Sequence, residues 1–377
     1  MIAADPDTLP ELSRQEAHPR VDARKRSAAR QVWLLACLVS WLLFAPLIYA
    51  EQLPIKTFTT ADGLANDAIN QIVRDSRGFL WFCTAEGLSR FDGYQFTNYT
   101  TDQGLPHRSV SDLLEARDGS YWVATAHGLA RLNPNGAPIF TNYFPGADQK
   151  SSQIEVLLED RDGTIWLGTH GGVYRLNRTG STVQFQFVDF GMPTEAEGDL
   201  VQTMLAGQQG SLWVGTTGSG LYRRWPDGRV EHYSTANGLP FNRVSALLED
   251  RGGQLWVATS NGLVELVSEP DPKGPVVAHL FTTKDGLTSN WIETLVQSND
   301  GSLWIGTDSG LSELPASAQK NPQFRSYTTA NGLSSRYVMA LAEDRDGNLW
   351  LGTDSGGAMK LADNGFTNYT RGWNESK

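Results

Sequence analysis

Twelve side chains of binding or reactive type recur at matching places in this sequence. Asn66, His107, Arg108, Arg243, Trp291, Arg336 and Tyr337 follow turn-like connectors, and Glu86, His127, His170, Asp308 and Asp354 follow short Trp-containing strands. Guanidinium forks suit carboxylate or hydroxyl groups, and an indole or phenol ring stacks on a ligand ring. The chemistry on offer is therefore recognition of a polar extracellular ligand, a glycan among the options. The constellations that carry catalysis are missing. No Gly-rich loop ends in Gly-Lys-Ser/Thr, no strand–helix dinucleotide fingerprint occurs, and no Gly-x-Ser-x-Gly elbow is present. Two Cys and six His show no metal-ligand spacing, and the Asp-rich turns lack the spacing of a calcium loop. No catalytic residue, metal or cofactor is expected. A pair of carboxylates converging from different repeats would still serve glycosidic chemistry, so a lyase or carbohydrate-active enzyme stays open beside a binding module and a protein-joining scaffold.

What positions these side chains is a repeat. Leu80-Trp81-Phe82-Cys83-Thr84 recurs as Tyr121-Trp122-Val123-Ala124-Thr125, Ile165-Trp166-Leu167-Gly168-Thr169 and Leu212-Trp213-Val214-Gly215-Thr216. It continues as Leu255-Trp256-Val257-Ala258-Thr259, Leu303-Trp304-Ile305-Gly306-Thr307 and Leu349-Trp350-Leu351-Gly352-Thr353. Successive Trp residues lie 41, 44, 47, 43, 48 and 46 positions apart. A period near ~45 with strand-like alternation is the mark of a four-stranded propeller blade. The chain is predicted to be all-β, a seven-bladed β-propeller over residues 51–377. Because blades pack on their neighbours, the ring is one domain.

One unit shows the reading. Residues 229–233 alternate as an outer strand, and residues 234–240 are turn chemistry. Val244 to Glu249 form an inner strand, Asp250-Arg251-Gly252-Gly253 a tight hairpin, and Gln254 to Thr259 the Trp strand. Turn Asp and Asn residues are expected to bond local backbone, and the seven Trp residues to pack between blades. Connectors and the turns after the Trp strands should emerge on one face, around the central channel. Loops on a rigid scaffold are where binding concentrates. Two repeats depart: residues 145–152 lack Gly-Leu, and residues 192–199 are longer and carry Glu195, Glu197 and Asp199. Eight outer-strand segments are visible, from residues 55–59 to residues 366–369. Either the first closes the last blade or the array continues.

A net charge of −11 and the lack of a basic stripe in the repeats argue against nucleic acid or anionic lipid as partner. Residues 1–30 are polar and aperiodic, read as a disordered cytoplasmic tail. Arg24, Lys25, Arg26 and Arg30 then precede an apolar run over residues 31–50. This is either a signal peptide cleaved after Ala50 or a retained anchor helix, which would make the membrane a partner. In both cases the repeats are exported, giving a periplasmic, secreted or inner-membrane-anchored protein. Cys83 fills a column of Gly and Ala, which points to a small buried residue.

The block Leu158-Glu159-Asp160-Arg161-Asp162-Gly163-Thr164-Ile165-Trp166-Leu167-Gly168-Thr169, with its counterparts around Trp122, Trp256, Trp304 and Trp350, resembles two-component regulator propeller repeats. The resemblance covers residues 51–370. It implies the periplasmic sensor region of membrane histidine kinases and related signalling proteins. In such proteins a β-sandwich linker, a membrane helix and a cytoplasmic output domain usually follow. The resemblance thus implies an exported ligand- or partner-sensing module, whose output lies downstream or on a partner protein.

Overall fold

The computed structural model describes residues 53–362, apart from 134–135, 147, 181, 194–198, 268–272, 275 and 319–321. The expected tail over residues 1–30, the leader over residues 31–50, the outer segment at residues 366–369, and Glu195 and Glu197 lie outside the described residues. Within them the chain forms seven four-stranded antiparallel sheets. The inner strands are Ile69–Arg74, Val110–Glu115, Ile154–Glu159, Val201–Ala206, Val244–Glu249, Ile292–Gln297 and Val338–Glu343. Each adjoins the next, and the last adjoins the first, so seven blades close a ring. Blades are numbered here by inner strand, from the one opened by Ile69.

Sequence repeat and blade are offset by one strand. The outer strand before each connector pairs with the preceding blade, as Val230–Tyr233 does with Leu221–Arg224. The first segment, Ile55–Phe58, is therefore left to complete blade 7. It pairs antiparallel with Ala358–Leu361, setting Ile55 opposite Leu361 and Phe58 opposite Ala358. Of the two expected outcomes, closure by the first strand is the one observed, and it leaves the ring without an open edge.

Seven hydrophobic clusters hold the ring, and each seats the Trp of one blade against its neighbour. Trp81 packs with Leu113 and Val123 of blade 2, Trp122 with Leu157 and Leu167 of blade 3, and Trp166 with Met204 and Val214 of blade 4. Trp350 closes the circle against Phe82 and Phe91 of blade 1. An indole withdrawn from water contributes roughly 4–6 kcal/mol gross from its buried area. The residue before the terminal Thr must be small, because the next blade sits there. A Cβ on Gly168 would lie 2.4 Å from Val201, and one on Gly352 would lie 2.6 Å from Ile69. Cys83 occupies this column, fully buried, and burial pushes its thiol well above the ordinary range.

The hairpin Asp binds both its own turn and the Trp. Asp250 Oδ1 accepts the N–H groups of Gly252 (2.8 Å) and Gln254 (2.9 Å), and its Oδ2 accepts the Trp256 indole N–H (2.9 Å). Asp75, Asp160 and Asp344 take Trp81, Trp166 and Trp350 in the same way, at 3.0, 2.8 and 2.9 Å. In blade 2 the hairpin opens with Ala116, and Ser120 takes the Trp122 indole instead (3.0 Å). The Glu that ends the inner strand, just before the hairpin, reaches the previous blade. Glu115 accepts Ser76 N–H (2.6 Å), Glu159 accepts Arg117 N–H (2.8 Å), and Glu343 accepts Asn299 N–H (2.8 Å). Asp250→Ala strands a mostly buried indole N–H and frees the hairpin, so it should cost about 1–3 kcal/mol. The urea midpoint should drop accordingly.

Asp112 stands apart. It lies on the inner strand of blade 2, fully buried, and accepts Leu157 N–H of blade 3 and Leu113 N–H, both at 2.8 Å. Burial pushes its carboxyl up from 3.8 to about 7, against those two bonds, which favour the ionised form. A folded pKa above the unfolded one stabilises the fold fully below pH ~4 and loses that stabilisation as pH rises through ~7. Wild-type denaturation midpoints should therefore fall between pH 5 and pH 8.5, and Asp112→Asn should flatten that fall.

Candidate functional site

The turns after the Trp strands share one construction. Thr84 Oγ1 donates to Gly87 O (2.8 Å) and accepts Glu86 N–H (3.2 Å). Thr125, Thr259 and Thr307 do the same with Gly128, Gly262 and Gly310. The hydroxyl fixes the turn backbone, which frees the side chains of Glu86, His127, His170, Asp308 and Asp354 for other work. The connectors are equally regular. Thr59, Thr100, Ser234, Thr282 and Thr328 cap short 3₁₀ turns with reciprocal capping boxes, each ended by Gly in the left-handed region.

Every inner strand then carries a β-bulge at its second residue, seen as a register shift in all seven blades. A bulge re-aims a side chain. The re-aimed residues include Glu155 and Glu293, which reading by alternation did not single out. Glu293 is the hub of a network across blades 5 to 7. It accepts Arg243 Nη2 (3.0 Å), Tyr337 Oη (2.7 Å) and the Trp291 indole N–H. The Arg243 guanidinium also lies 4.9 Å from the Trp291 ring centre. Glu293 and Arg243 retain only 9% and 19% side-chain exposure. Burial and the bond to Glu293 raise the Tyr337 phenol pKa. Asp308 adjoins this group, its N–H donating to Trp291 O (3.2 Å).

The other expected residues form smaller sets. Arg108 pairs with Glu86 at 2.6 Å, both exposed. His170 Nε2 lies 2.6 Å from Glu155, and His127 packs on the Phe144 ring at 5.3 Å. Asp354 accepts Ser335 Oγ (2.7 Å). Asn66 and His107 have local duties, accepting Ala68 N–H (2.8 Å) and Ser109 N–H (3.0 Å) within their connectors. Arg336 is exposed and makes no ion pair among the described residues. Two of the three guanidinium forks expected to hold ligand carboxylates are thus already engaged by the protein's own carboxylates. All twelve residues lie in the connectors or in the turns after the Trp strands.

A cleft of about 230 Å³ opens between blades 3 and 4 among these same segments. Phe187, Phe190, Met192 and Leu200 form its apolar wall, and Lys150, His170, Asp189 and Asp199 also line it. Lys150, Met192, Pro193 and Asp199 of its lining belong to the two connectors that depart from the repeat. Among the described residues no cluster of His, Cys, Asp and Glu could hold a metal ion. None of the described helices is long and apolar enough to cross a membrane.

Residues 63–86, 104–127, 148–171, 238–261, 286–309 and 332–355 match the model of the two component regulator propeller. This chain is built from two component regulator propeller repeats. Each matched stretch runs from the connector, at its glycine in all but the stretch that starts at Asp148, through the inner strand, hairpin and Trp strand to the following turn. Blade 4, between 171 and 238, is the one left unmatched.

No curated protein sequence matches the chain. Among solved structures it resembles an extracellular domain assigned to a hybrid two component system of B. thetaiotaomicron. The TM-score is 0.68 at 25% identity, over 82% of this chain and 42% of that one. The propeller chain therefore spans less than half the length of that relative. A catalytically inactive virginiamycin B lyase from Staphylococcus aureus, with quinupristin, aligns at TM-score 0.63 and 16% identity, over 82% and 99% of the two chains. PorZ, a surface component of the type-IX secretion system of Porphyromonas gingivalis, aligns at 0.61 and 16%, over 80% and 47%. These last two likenesses establish the fold alone.

Removing one member of the Glu293 network leaves the others unpaired in a partly buried site. Glu293→Ala should cost about 1–3 kcal/mol and Tyr337→Phe about 1 kcal/mol, with the double variant clearly less than additive. A double-mutant cycle on denaturation midpoints measures the coupling.

Proposed function

We propose that this chain is the exported sensing module of a bacterial two-component-type signalling system. It recognises a ligand or partner on its connector face, and its output domain lies elsewhere. The repeats and the likeness to an extracellular two-component domain support the signalling context. The same likeness and the charged, apolar leader in the sequence support a periplasmic or extracellular location. The observation that carries the reading is the unequal duty of the two faces. Hairpins are near-uniform, and their Asp and Glu side chains are engaged in bonds within and between blades. Connector-face side chains differ from blade to blade and combine exposed Trp291, Arg336 and Asp354 with a cleft. We read the module as non-catalytic, a reading supported by its regulator propeller repeats and its likeness to an extracellular two-component domain.

The test is a thermal-shift screen of the full chain against neutral, acidic and amino sugars and small organic acids and amines. A ligand that binds only the folded state raises the midpoint by mass action, by a few degrees at about 100-fold excess over Kd. At least one class should do so saturably. Variants Arg336→Ala, Asp354→Asn or Lys150→Ala should reduce that response, while the hairpin-face variant Arg161→Ala should not. If every response survives all three connector-face variants, the proposed binding face is wrong.

A further inference from the structure

We infer that the outer strand of blade 3, Thr182–Val188, pairs antiparallel with the same strand of a second copy of this chain, joining two four-stranded blades into one continuous sheet. The surface is the rim of the ring rather than the connector face.

The ring closes, yet every blade still presents its outer strand at the rim. Such a strand leaves one row of N–H and C=O groups unpaired, a template for another chain. Six of these strands are short. Ile55–Phe58, Phe96–Tyr99, Phe140–Tyr143 and Val230–Tyr233 have four residues, Val277–Phe281 has five and Arg325–Tyr327 has three. Connectors lie over most of them. A Cβ on Gly63, Gly104 or Gly238 would lie 3.8, 3.9 or 3.6 Å from Phe96, Phe140 or Val276, where the outer strands of blades 1, 2 and 5 begin. Asn98 and Asn142 donate to the carbonyls of Gly63 and Gly104 (both 2.9 Å), and Ser326 donates to that of Gly286. Beside the closing strand, Leu53 N–H donates to Asn331 O (3.0 Å).

Blade 3 lacks both safeguards. Its outer strand has seven residues, and its third strand, Gly172–Thr179, has eight. Residues 145–152, the connector into this blade, lack the Gly-Leu pair. Among the described residues no hydrogen bond joins Thr182–Val188 to anything outside its own hairpin. The strand reads Thr-Val-Gln-Phe-Gln-Phe-Val, with neither the charge nor the Pro that deters edge pairing. The edge is firmly held. Arg178 of the third strand binds Asp118 and Ser120 in the blade 2 hairpin, and Val183 and Phe185 pack at the seam of blades 2 and 3.

Register makes the strand self-complementary. Thr182, Gln184, Gln186 and Val188 lie opposite Thr179, Asn177, Arg175 and Val173. Thr179 and Thr182 close the hairpin as a hydrogen-bonded pair, so alternation turns the N–H and C=O groups of Val183, Phe185 and Phe187 outward. A two-fold axis through Phe185 sets that residue against its own copy. It also sets Val183 against Phe187, and Gln184 against Gln186, of the second copy. Each outward residue then exchanges both backbone bonds with the residue opposite. Apolar side chains meet on one face and amides on the other, with no like charges opposed. The Phe187 ring, 48% exposed in the single chain, gains cover. Seven residues a side bury less than the ~800 Å² per partner of a standard interface, so the dimer is weak and concentration-dependent.

Sedimentation velocity of the full chain between about 10 µM and 1 mM, with amide hydrogen exchange at both ends of that range, tests this. The mass should rise from monomer toward dimer, and the N–H groups of Val183, Phe185 and Phe187 should exchange slowly only at the high end. Gln184→Glu with Gln186→Glu opposes carboxylates across the axis and should weaken dimerisation about tenfold. Gln184→Lys with Gln186→Glu sets Lys against Glu in this register and should bring dimerisation back to within about threefold of wild type. A carboxylate at position 186 can still accept from Arg175 and Asn177, as Gln186 does, so both variants keep the hairpin. A chain monomeric throughout, a dimer indifferent to the paired Glu substitutions, or one that the Lys–Glu pair fails to restore overturns the inference. Protection of the three N–H groups at every concentration also overturns it, since another segment of the same chain would then cover the edge.

Discussion

The structure depends on one repeated insertion: a Trp from the second strand of each blade seated in the face of the next. Its apolar area supplies the larger energy, several kcal/mol gross per seam, against about one for a typical hydrogen bond. The hydrogen bond supplies direction. A hairpin Asp that already closes its own turn also takes the indole N–H in four blades. Turn, Trp rotamer and blade spacing are thereby coupled. The Glu that ends the inner strand extends the coupling across the seam by accepting a hairpin N–H of the previous blade.

The division of labour between faces follows from that coupling. Hairpins that hold the ring together have little freedom to vary. Connectors and the turns beyond the Trp strands are fixed through backbone capping by Thr and Gly, so their side chains are free to differ. Blade 4 shows what happens when the pattern is relaxed. Its hairpin begins with Gly207 in place of Asp, and the Arg223 guanidinium lies 4.8 Å from the Trp213 ring centre and 3.7 Å from that of Trp225. Met192, Pro193 and Asp199, which line the cleft, precede the same blade. Departure from the repeat and appearance of a cavity thus coincide.

Much of this was legible in the sequence because it is local and periodic. The Trp spacing gave blade number, the Asp-Gly hairpins gave turn positions, and the Gly and Ala column before Thr pointed to a small buried residue. The inner strand Val244–Glu249 emerged with the expected bounds. The offset between repeat and blade was not legible, since an outer strand carries no mark of the sheet it joins. Closure by Ile55–Phe58 was one of two open alternatives for that reason. Glu155 and Glu293 escaped notice because simple alternation assumes an unbroken strand, and a bulge breaks it. The candidate residues share the connectors and the turns after the Trp strands, but they are not all free groups: Arg243 and Arg108 are paired with carboxylates 50 and 22 residues away along the chain. The cleft is lined in part by Lys150, Met192, Pro193 and Asp199 of two aperiodic connectors, whose placement no repeat pattern encodes.

The central claim is that seven equivalent seams, the last completed by the first strand, hold one ring whose connector face is left free. Amide hydrogen exchange over the whole folded chain tests it most directly. The account predicts comparable, slow exchange in all seven inner strands and Trp strands, protection of Ile55–Phe58 together with Ala358–Leu361, and fast exchange at the connector tips. Exchange of Ile55–Phe58 at unfolded rates, or protection confined to a few blades, would contradict it.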